Sequence, residues 1–476
     1  MVYRAAAAVA AAIAAPIAPV LAPTAPVLAL NSGSSSLKFG LYQMQQGRTT
    51  CLLDGQAHSS GSAAGTLQAW DGQGRPLPCP DSAQGQAAAT PQALVQRIAG
   101  LITQLALPAP HAIGHRVVHG GPQVRQHARI TPALLQQLAA ATPFAPLHTP
   151  AVLGVVQAAL QQYPALPQVV CLDTCFHASL PDVARVLALP RALRQQGIQR
   201  YGFHGLSCES IVQQLGSKLP RRLLIAHLGN GASVSAVLGG VSVDTSMGLT
   251  PSGGLVMGSR SGDLDPGALA YLVRTLALDA GALQDLIDRQ SGLLGVSGLS
   301  SDMRCLHAAA AGPAPDPDAR LAVALFCYSA AKTLAAQCVA LGGVDLIVFT
   351  GGIGEHDALV RAAIGTHLAW LGVDIDATRN AGSGQADAGP ANAALADAAL
   401  ADAALADAAL ADAALAGAGR VDPGLISSDA SRCQVRVLPS QEDAQIARHT
   451  WALCGAAEAT AAPHDHSTDT PSRPTP

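Results

Sequence analysis

Twice along the 476-residue chain, an apolar strand runs into a turn of small residues and back out as a second strand. Val27-Leu-Ala-Leu30 leads into Asn31-Ser-Gly-Ser-Ser-Ser36 and then Leu37 to Tyr42. Roughly 200 residues later, Leu223 to His227 leads into Leu228-Gly-Asn-Gly231 and then Ala232 to Leu238. Short apolar runs bounded by Gly, Ser and Asn are strand and turn signals. Turns of this composition let backbone N–H groups and hydroxyls approach a phosphate closely. One such hairpin alone is simply a tight turn. The pair points to a duplicated fold with a nucleotide cleft between its halves.

The rest of the chain alternates in the same style. Strands are expected at Ala112–Val118, Val169–Leu172 and Leu346–Phe349, and helices at Pro91–Leu105, Pro266–Leu278 and Leu321–Leu341. The stretch 47–89 is polar and Gly-rich, and predicts short strands and loops. Such alternation is the pattern of an α/β protein, long enough for two or three domains.

Composition narrows the function classes. Only 13% of residues are charged and the net charge is −4, with no basic run, so a nucleic-acid surface is not expected. The ten cysteines are scattered without a CxxC pair, which fits reduced thiols in a cytoplasmic enzyme. Met1 to Pro26 has the outline of a signal peptide, but it runs into the first strand and its prolines would break a membrane helix, so we expect an extension. No other stretch is an uninterrupted apolar run of membrane-spanning length. Between Ala391 and Ala416 the pentapeptide ADAAL repeats. Leucines five apart turn about 140° from one to the next, so no apolar face develops, and an insertion (about 381–420) outside the core is expected. Residues 456–476, rich in Pro, Thr, Ser and Asp, are expected to be disordered.

Several clusters carry chemistry. Asn31 to Lys38 lacks the Gly-Lys-Ser/Thr ending of a P-loop, yet spends one of only three lysines on its turn. Gly114-His-Arg-Val-Val-His-Gly-Gly121 sets Arg116 at a strand end, where a guanidinium can bind carboxylate or phosphate through two bonds. Asp173, in Cys171-Leu-Asp-Thr-Cys-Phe-His177, follows a strand at the end where α/β enzymes keep functional groups. Tyr201-Gly-Phe-His-Gly205 crowds His204 between glycines, which suits either a packed core residue or a reactive one. Met257-Gly-Ser-Arg-Ser-Gly-Asp-Leu-Asp-Pro266 supplies Arg260 on a Gly-flanked loop. Phe349-Thr-Gly-Gly-Ile-Gly-Glu355 predicts a strand running into a Gly-rich loop that admits an adenosine.

Any one cluster could arise by chance. Their order, with Asp244-Thr-Ser-Met-Gly248 between the second hairpin and Arg260, closely resembles the acetate kinase family over about residues 27–450. The resemblance implies the actin-like ATPase architecture, with two ribonuclease-H-like domains around a nucleotide cleft. It divides the chain into an extension (1–26), domain I (27–175 plus 443–455), domain II (176–442) with its insertion, and a tail (456–476). It implies reversible transfer of the γ-phosphoryl group of ATP to acetate, giving acetyl phosphate and ADP, by an enzyme that needs Mg²⁺ or Mn²⁺. A cytoplasmic homodimer follows from it, with small molecules as its other partners and no membrane.

Carried over position by position, Arg116 and Arg260 would hold the carboxylate and the migrating phosphoryl group. His204 would bond that group and Asp173 would orient the arginines. Asn31 and Glu442 match the Mg²⁺ positions. Ser34, Ser36 and Lys38 match the phosphate-side turn, and His227, Gly229, Asn230 and Gly231 the β-phosphate turn. Asp302, Met303, Arg304, Gly352, Ile353 and Gly354 match the adenosine site. Val118, Leu147, Phe203 and Pro251 would form a small apolar pocket for the methyl group. Cys208, Ser252-Gly253 and Thr149 depart from the family, which usually has histidine, Leu-Glu and asparagine there. The alternatives are a propionate kinase and a catalytically silent nucleotide-binding regulator, the latter expected to lack Arg116, Asp173, His204, Arg260 or Glu442. All five are present.

Overall fold

The computed structural model describes residues 24–33, 36–46, 48–58, 67–79, 90–146, 148–383 and 424–455. Residues 1–23 of the N-terminal extension, most of the ADAAL insertion, the tail, Ser34 and Leu147 lie outside the described residues, while 24–26 open the first strand.

Two sheets organise these residues. The first contains β1 (Thr24–Ser32), β2 (Ser36–Gln45), β3 (Arg48–His58), β4 (Leu67–Asp71), β5 (Ala112–Val117), β6 (Ala128–Arg129) and β7 (Gln168–Leu172), in the order β4-β3-β2-β1-β5-β7-β6. The second contains β8 (Arg222–Leu228), β9 (Ala232–Leu238), β10 (Val241–Thr245), β11 (Leu346–Thr350) and β12 (Gln434–Val437), in the order β10-β9-β8-β11-β12. Both share a core of three consecutive antiparallel strands followed by two parallel strands added beside the first, and in the first sheet β4 and β6 extend that core as antiparallel strands at the two edges. With those edge strands set aside, β3-β2-β1-β5-β7 and β10-β9-β8-β11-β12 follow the same order, 3-2-1-4-5, and the two Gly/Ser/Asn turns occupy the same place in each half. The α/β duplication expected from the sequence is borne out.

Local chemistry explains the elements. β1 and β8 are central strands buried on both faces, so they are continuous apolar runs rather than alternating ones. Helix α1 (Pro91–Gln104) starts where Thr90 caps the Ala93 N–H and Pro91 fills a position that needs no donor. Its Leu94, Val95, Ile98, Leu101 and Ile102 recur at helical spacing and bury against the first sheet. Each such side chain contributes about 1.5–3 kcal/mol on burial.

Further helices are α2 (Thr149–Gln162), α3 (Gly205–Leu215), α4 (Pro317–Leu341), α5 (Gly351–His356), α6 (Ala358–His367) and α7 (Glu442–Gly455). By length and composition α4 could cross a membrane. Here Ala322, Phe326, Ala330 and Leu334 pack it into the core of the second sheet. Helix α7 follows the second sheet's last strand but lies against β1, β5 and β7 of the first sheet and against α3.

One segment differs from its expectation. Residues 351–356 form a helical turn, not a loop. Glycine disfavours helix, but two buried charges cap this one. Glu355 accepts the Gly351 N–H, and the fully buried Arg361 donates to the carbonyls of Gly354 and Glu355.

Candidate active site

The functional side chains sit at the strand ends where the two halves meet. Asn31, near the end of β1, pairs in register with Lys38 of β2. Its amide donates to Glu442 Oε2 (3.1 Å) and Asp443 Oδ1 (2.8 Å), both on the first turn of α7. Its carbonyl oxygen accepts from Arg116 Nη1 at 3.3 Å. Arg116, on β5, also donates through Nε (2.9 Å) and Nη2 (2.5 Å) to Oδ2 of Asp173, just beyond the neighbouring β7.

Burial dominates the electrostatics. It lifts Asp173 to about 6 against the pull of Arg116. Burial also pushes Glu442 upward, but Arg116, His227 and Lys38 together outweigh it, and the carboxyl sits below its ordinary value. Asp443 goes the other way, raised by burial despite Lys38. The Asp173 Oδ1 atom is buried without a hydrogen-bond partner among the described residues. Hard oxygen donors with unspent lone pairs suit Mg²⁺.

From the second half comes His204, in the left-handed conformation (φ 57°, ψ 27°) at the N-terminus of α3. Non-glycine residues rarely adopt it, and such strain concentrates at functional sites. The next residue, Gly205, donates its N–H to the Asp173 carbonyl at 2.9 Å, tying the two halves together. The His204 ring bonds Ser233 Oγ through Nδ1 (2.9 Å) and stacks on His227 with ring centroids 4.1 Å apart. His227 in turn bonds Ser207 Oγ at 2.8 Å. Burial, then the fields of His227, Arg116 and Arg260, hold His204 well below the ordinary histidine range. Burial and these positive fields favour the neutral imidazole.

Arg260 approaches from the loop after β10. A Cβ placed on Gly231, in the second Gly/Asn turn, would lie 3.3 Å from Arg260 Nη1 and 3.5 Å from His204 Nε2. Arg260 donates to the Pro251 carbonyl and has no ion-pair partner among the described residues. Burial and the field of Arg116 lower its pKa, opposed by Asp288. Arg260 and His204 thus meet at the Gly231 turn, within the field of Arg116, and Arg260 has no ion-pair partner among the described residues, only the more distant charge of Asp288. Such a grouping has the chemistry to receive an anion.

Val118 and Phe203 are buried together in one apolar cluster with Met247, Leu255 and Met257, and Pro251 is half-buried. Ser36 and Lys38 open β2. Gly229, Asn230 and Gly231 form the second turn, where Gly229 N–H bonds the Gly231 carbonyl and the Asn230 carbonyl accepts from Gly258 N–H. Asp302 caps the helix Met303–Ala311 and pairs with Arg304, while Met303 turns into the second core. Gly352, Ile353 and Gly354 belong to α5.

The departures from the family have structural partners of their own. Cys208 packs among Ile211, Leu223 and Ile225, its Sγ 3.6 Å from Ser235 Oγ. Ser252 bonds Asp288, and Thr149 is buried at the start of α2.

Three residues escaped the sequence reading. Asp443 stands beside Glu442 in the same motif and shares Asn31. Ser233 ends the second turn motif and fixes the His204 ring. His148, just before α2, is lowered to about 4 by burial and by Arg260 and Arg116, so it faces the same arginines. Its signal was thin: one histidine in Pro146-Leu-His-Thr-Pro150.

The model of the acetokinase family matches residues 26–397. The acetate kinase of Rhodopseudomonas palustris (strain ATCC BAA-98 / CGA009) is 39% identical over 432 residues, covering 89% of this chain and 97% of the relative. That of Deinococcus radiodurans is 44% identical over 358 residues, covering 74% and 87%. Among solved structures, Porphyromonas gingivalis acetate kinase superposes with a TM-score of 0.72 at 31% identity, over 90% of this chain and 99% of that one. A propionate kinase from Francisella tularensis gives 0.74 at 30% identity, over 90% and 100%.

Proposed function

The chain belongs to the acetokinase family, and on that premise we propose how its site moves the terminal phosphoryl group of ATP onto acetate. The observation that carries the reading is the meeting of Arg260 and His204 at the Gly231 turn, within the field of Arg116, with no ion-pair partner for Arg260 among the described residues.

Phosphoryl transfer asks little covalent help of a protein; it asks for in-line positioning and positive charge around the equatorial oxygens. Arg260 binds the acetate carboxylate and the incoming phosphoryl oxygens, and Arg116 faces the same group from the first half. Asp173 fixes the Arg116 fork by accepting two of its N–H groups. With Ser233 donating to Nδ1, His204 carries its proton on Nε2 and donates it to a phosphoryl oxygen. Acetate is already a nucleophile, so no general base is needed and transfer is direct. Glu442 and the carbonyl oxygen of Asn31 would hold Mg²⁺, with Asp443 beside them; when bound it neutralises phosphate charge that the arginines do not reach.

Ser34, Ser36 and Lys38 would face the phosphates from one side, and His227, Gly229, Asn230 and Gly231 from the other. Asp302, Met303, Arg304 and the turn 352–354 would border the adenosine. Val118, Leu147, Phe203 and Pro251 would enclose the methyl group. One further methylene is worth only about 1–3 kcal/mol, so propionate is a poorer substrate rather than an excluded one.

We also read the enzyme as a cytoplasmic homodimer. Its ten cysteines are free. Leu321, Leu325 and Tyr328 form an exposed stripe at i, i+4 and i+7 on the outer face of α4, an apolar surface suited to a second copy.

Direct transfer has its own test. Protein incubated with γ-labelled ATP and Mg²⁺ without acetate should remain unlabelled after denaturation. A stable protein-bound phosphate that acetate discharges would overturn the direct step.

A further inference from the structure

The site so far leaves one buried carboxylate without a role. Glu355, 7% exposed, lies on α5, yet its Oε1 reaches in two directions. It accepts Gly351 N–H at 2.8 Å and Thr350 Oγ1 at 3.3 Å, both at the junction of β11 and α5. The same oxygen accepts the N–H of Ser440 at 2.9 Å. Ser440 lies between β12 and α7, two residues before Glu442.

Both ends of this bridge are firmly set. Gly351 adopts φ 78°, and a Cβ there would lie 2.8 Å from the Leu228 carbonyl, so the turn presses on the end of β8. Arg361, fully buried, donates to the carbonyls of Gly354 and Glu355 and closes the far end of α5. On the other side, Ser440 Oγ bonds Ser207 Oγ (3.0 Å), and Ser207 bonds the His227 ring that stacks on His204. Gln441 N–H bonds Ser210 Oγ on α3. One carboxylate oxygen therefore joins the turn assigned to adenosine with the segment that delivers Glu442.

We propose that Glu355 is a positioning residue: it couples the adenosine-side turn 350–354 to the placement of Glu442, so that nucleotide and divalent cation are held interdependently. The oxygen matters more than the charge, because all three of its donors are neutral. The inference rests on the proposed roles of the 352–354 turn and of Glu442, and its test does not require turnover.

The experiment measures equilibrium binding of a fluorescent ADP analogue with and without Mg²⁺, on the full chain, in Glu355→Ala, Glu355→Asp and Glu355→Gln. Wild type should bind the analogue more tightly with Mg²⁺. Glu355→Ala should reduce that Mg²⁺ enhancement about tenfold, a usual size for coupling between sites. Glu355→Asp keeps the charge but is one methylene too short to span both partners, so it should show the same loss. Glu355→Gln retains an acceptor oxygen and should stay within about threefold of wild type. In turnover, the Mg²⁺ concentration for half-maximal rate should rise in the Ala and Asp variants while the KM for acetate stays unchanged. An unaltered Mg²⁺ enhancement in Glu355→Ala or Glu355→Asp would overturn the proposal. So would equal impairment of every constant in all three variants, tracking only the folded fraction. A wild type that binds the analogue but makes no acyl phosphate would instead refute the catalytic reading and leave the coupling measurable.

Discussion

Arg116 gives two N–H groups to a single oxygen of Asp173, Nε at 2.9 Å and Nη2 at 2.5 Å, while the other carboxylate oxygen is buried with no partner among the described residues. The carboxylate aims the guanidinium; the guanidinium keeps the carboxylate ionised. Asp173→Asn removes the charge at constant size and should lower kcat about 10²–10³-fold, the cost of losing an oriented transition-state donor. Because burial raises Asp173 to about 6, wild-type activity should also fall as pH drops through 6. A kcat–pH profile of the residual Asp173→Asn activity should lack that limb.

His204 should leave no mark on the same profile. Its pKa is depressed, so it is neutral above the ordinary histidine range and through it, and protonates only at lower pH. His204→Ala should cost about 10²–10³-fold in kcat at every pH from 6 to 8. Ser233→Ala should cost less, because it frees the tautomer without removing the ring. A steeper loss for Ser233→Ala than for His204→Ala would contradict this division.

The proposed methyl pocket gives a specificity prediction. Val118 and Phe203 are both buried in the cluster that would close around a short acid. Val118→Ala makes room for about one methylene, worth roughly 1–3 kcal/mol, so the propionate-to-acetate ratio of kcat/KM should rise at least tenfold. Competition between the two acids measures it directly.

Away from the cleft, Glu209 of α3 binds His449 of α7 and faces His127, whose rings lie 4.0 Å apart. These three are metal-ligating residue types. The His127 Nδ1 accepts the Leu172 N–H, so its proton is on Nε2 and that atom has no lone pair for a metal. The cluster is a polar staple between the helices that begin at Gly205 and Glu442. Burial pushes Glu209 up, but the nearby His127 and the hydrogen bond to His449 more than reverse this, and its pKa falls to about 2. Burial lowers His127 toward neutrality. A depressed acid stabilises the fold above its unfolded pKa and loses that contribution as pH falls toward the folded value. Glu209→Gln should therefore destabilise by about 1–2 kcal/mol at pH 7, discounted for partial exposure, with the difference vanishing between pH 4.5 and 2. Urea unfolding across that range tests it.

Much of this was legible in the sequence because it rests on local patterns. Central strands such as Val27–Leu30 and Leu223–His227 are buried on both faces, so their apolar runs stand out. The turns after them are confined to small polar residues. What escaped depends on distant partners. Nothing near Gly351 announces a helix, because its caps come from the Glu355 and Arg361 side chains folding back on it. Ser233 and Asp443 sit inside recognised motifs, but their tasks are set by His204 and Asn31 from elsewhere in the chain. Glu209 and His449 are 240 positions apart, and only the packing of α3 on α7 makes them neighbours.

The central claim is that Arg260 and its neighbours transfer phosphate directly to acetate. The measurement is acyl phosphate formed from ATP, Mg²⁺ and acetate, trapped as the hydroxamate, with propionate and butyrate in parallel and Arg260→Ala beside wild type. We predict a strong signal with acetate, a weaker one with propionate, and loss of at least about 10³-fold in Arg260→Ala. Folded wild-type protein that binds ATP but yields no hydroxamate from any of the three acids, or an Arg260→Ala variant as active as wild type, would contradict it.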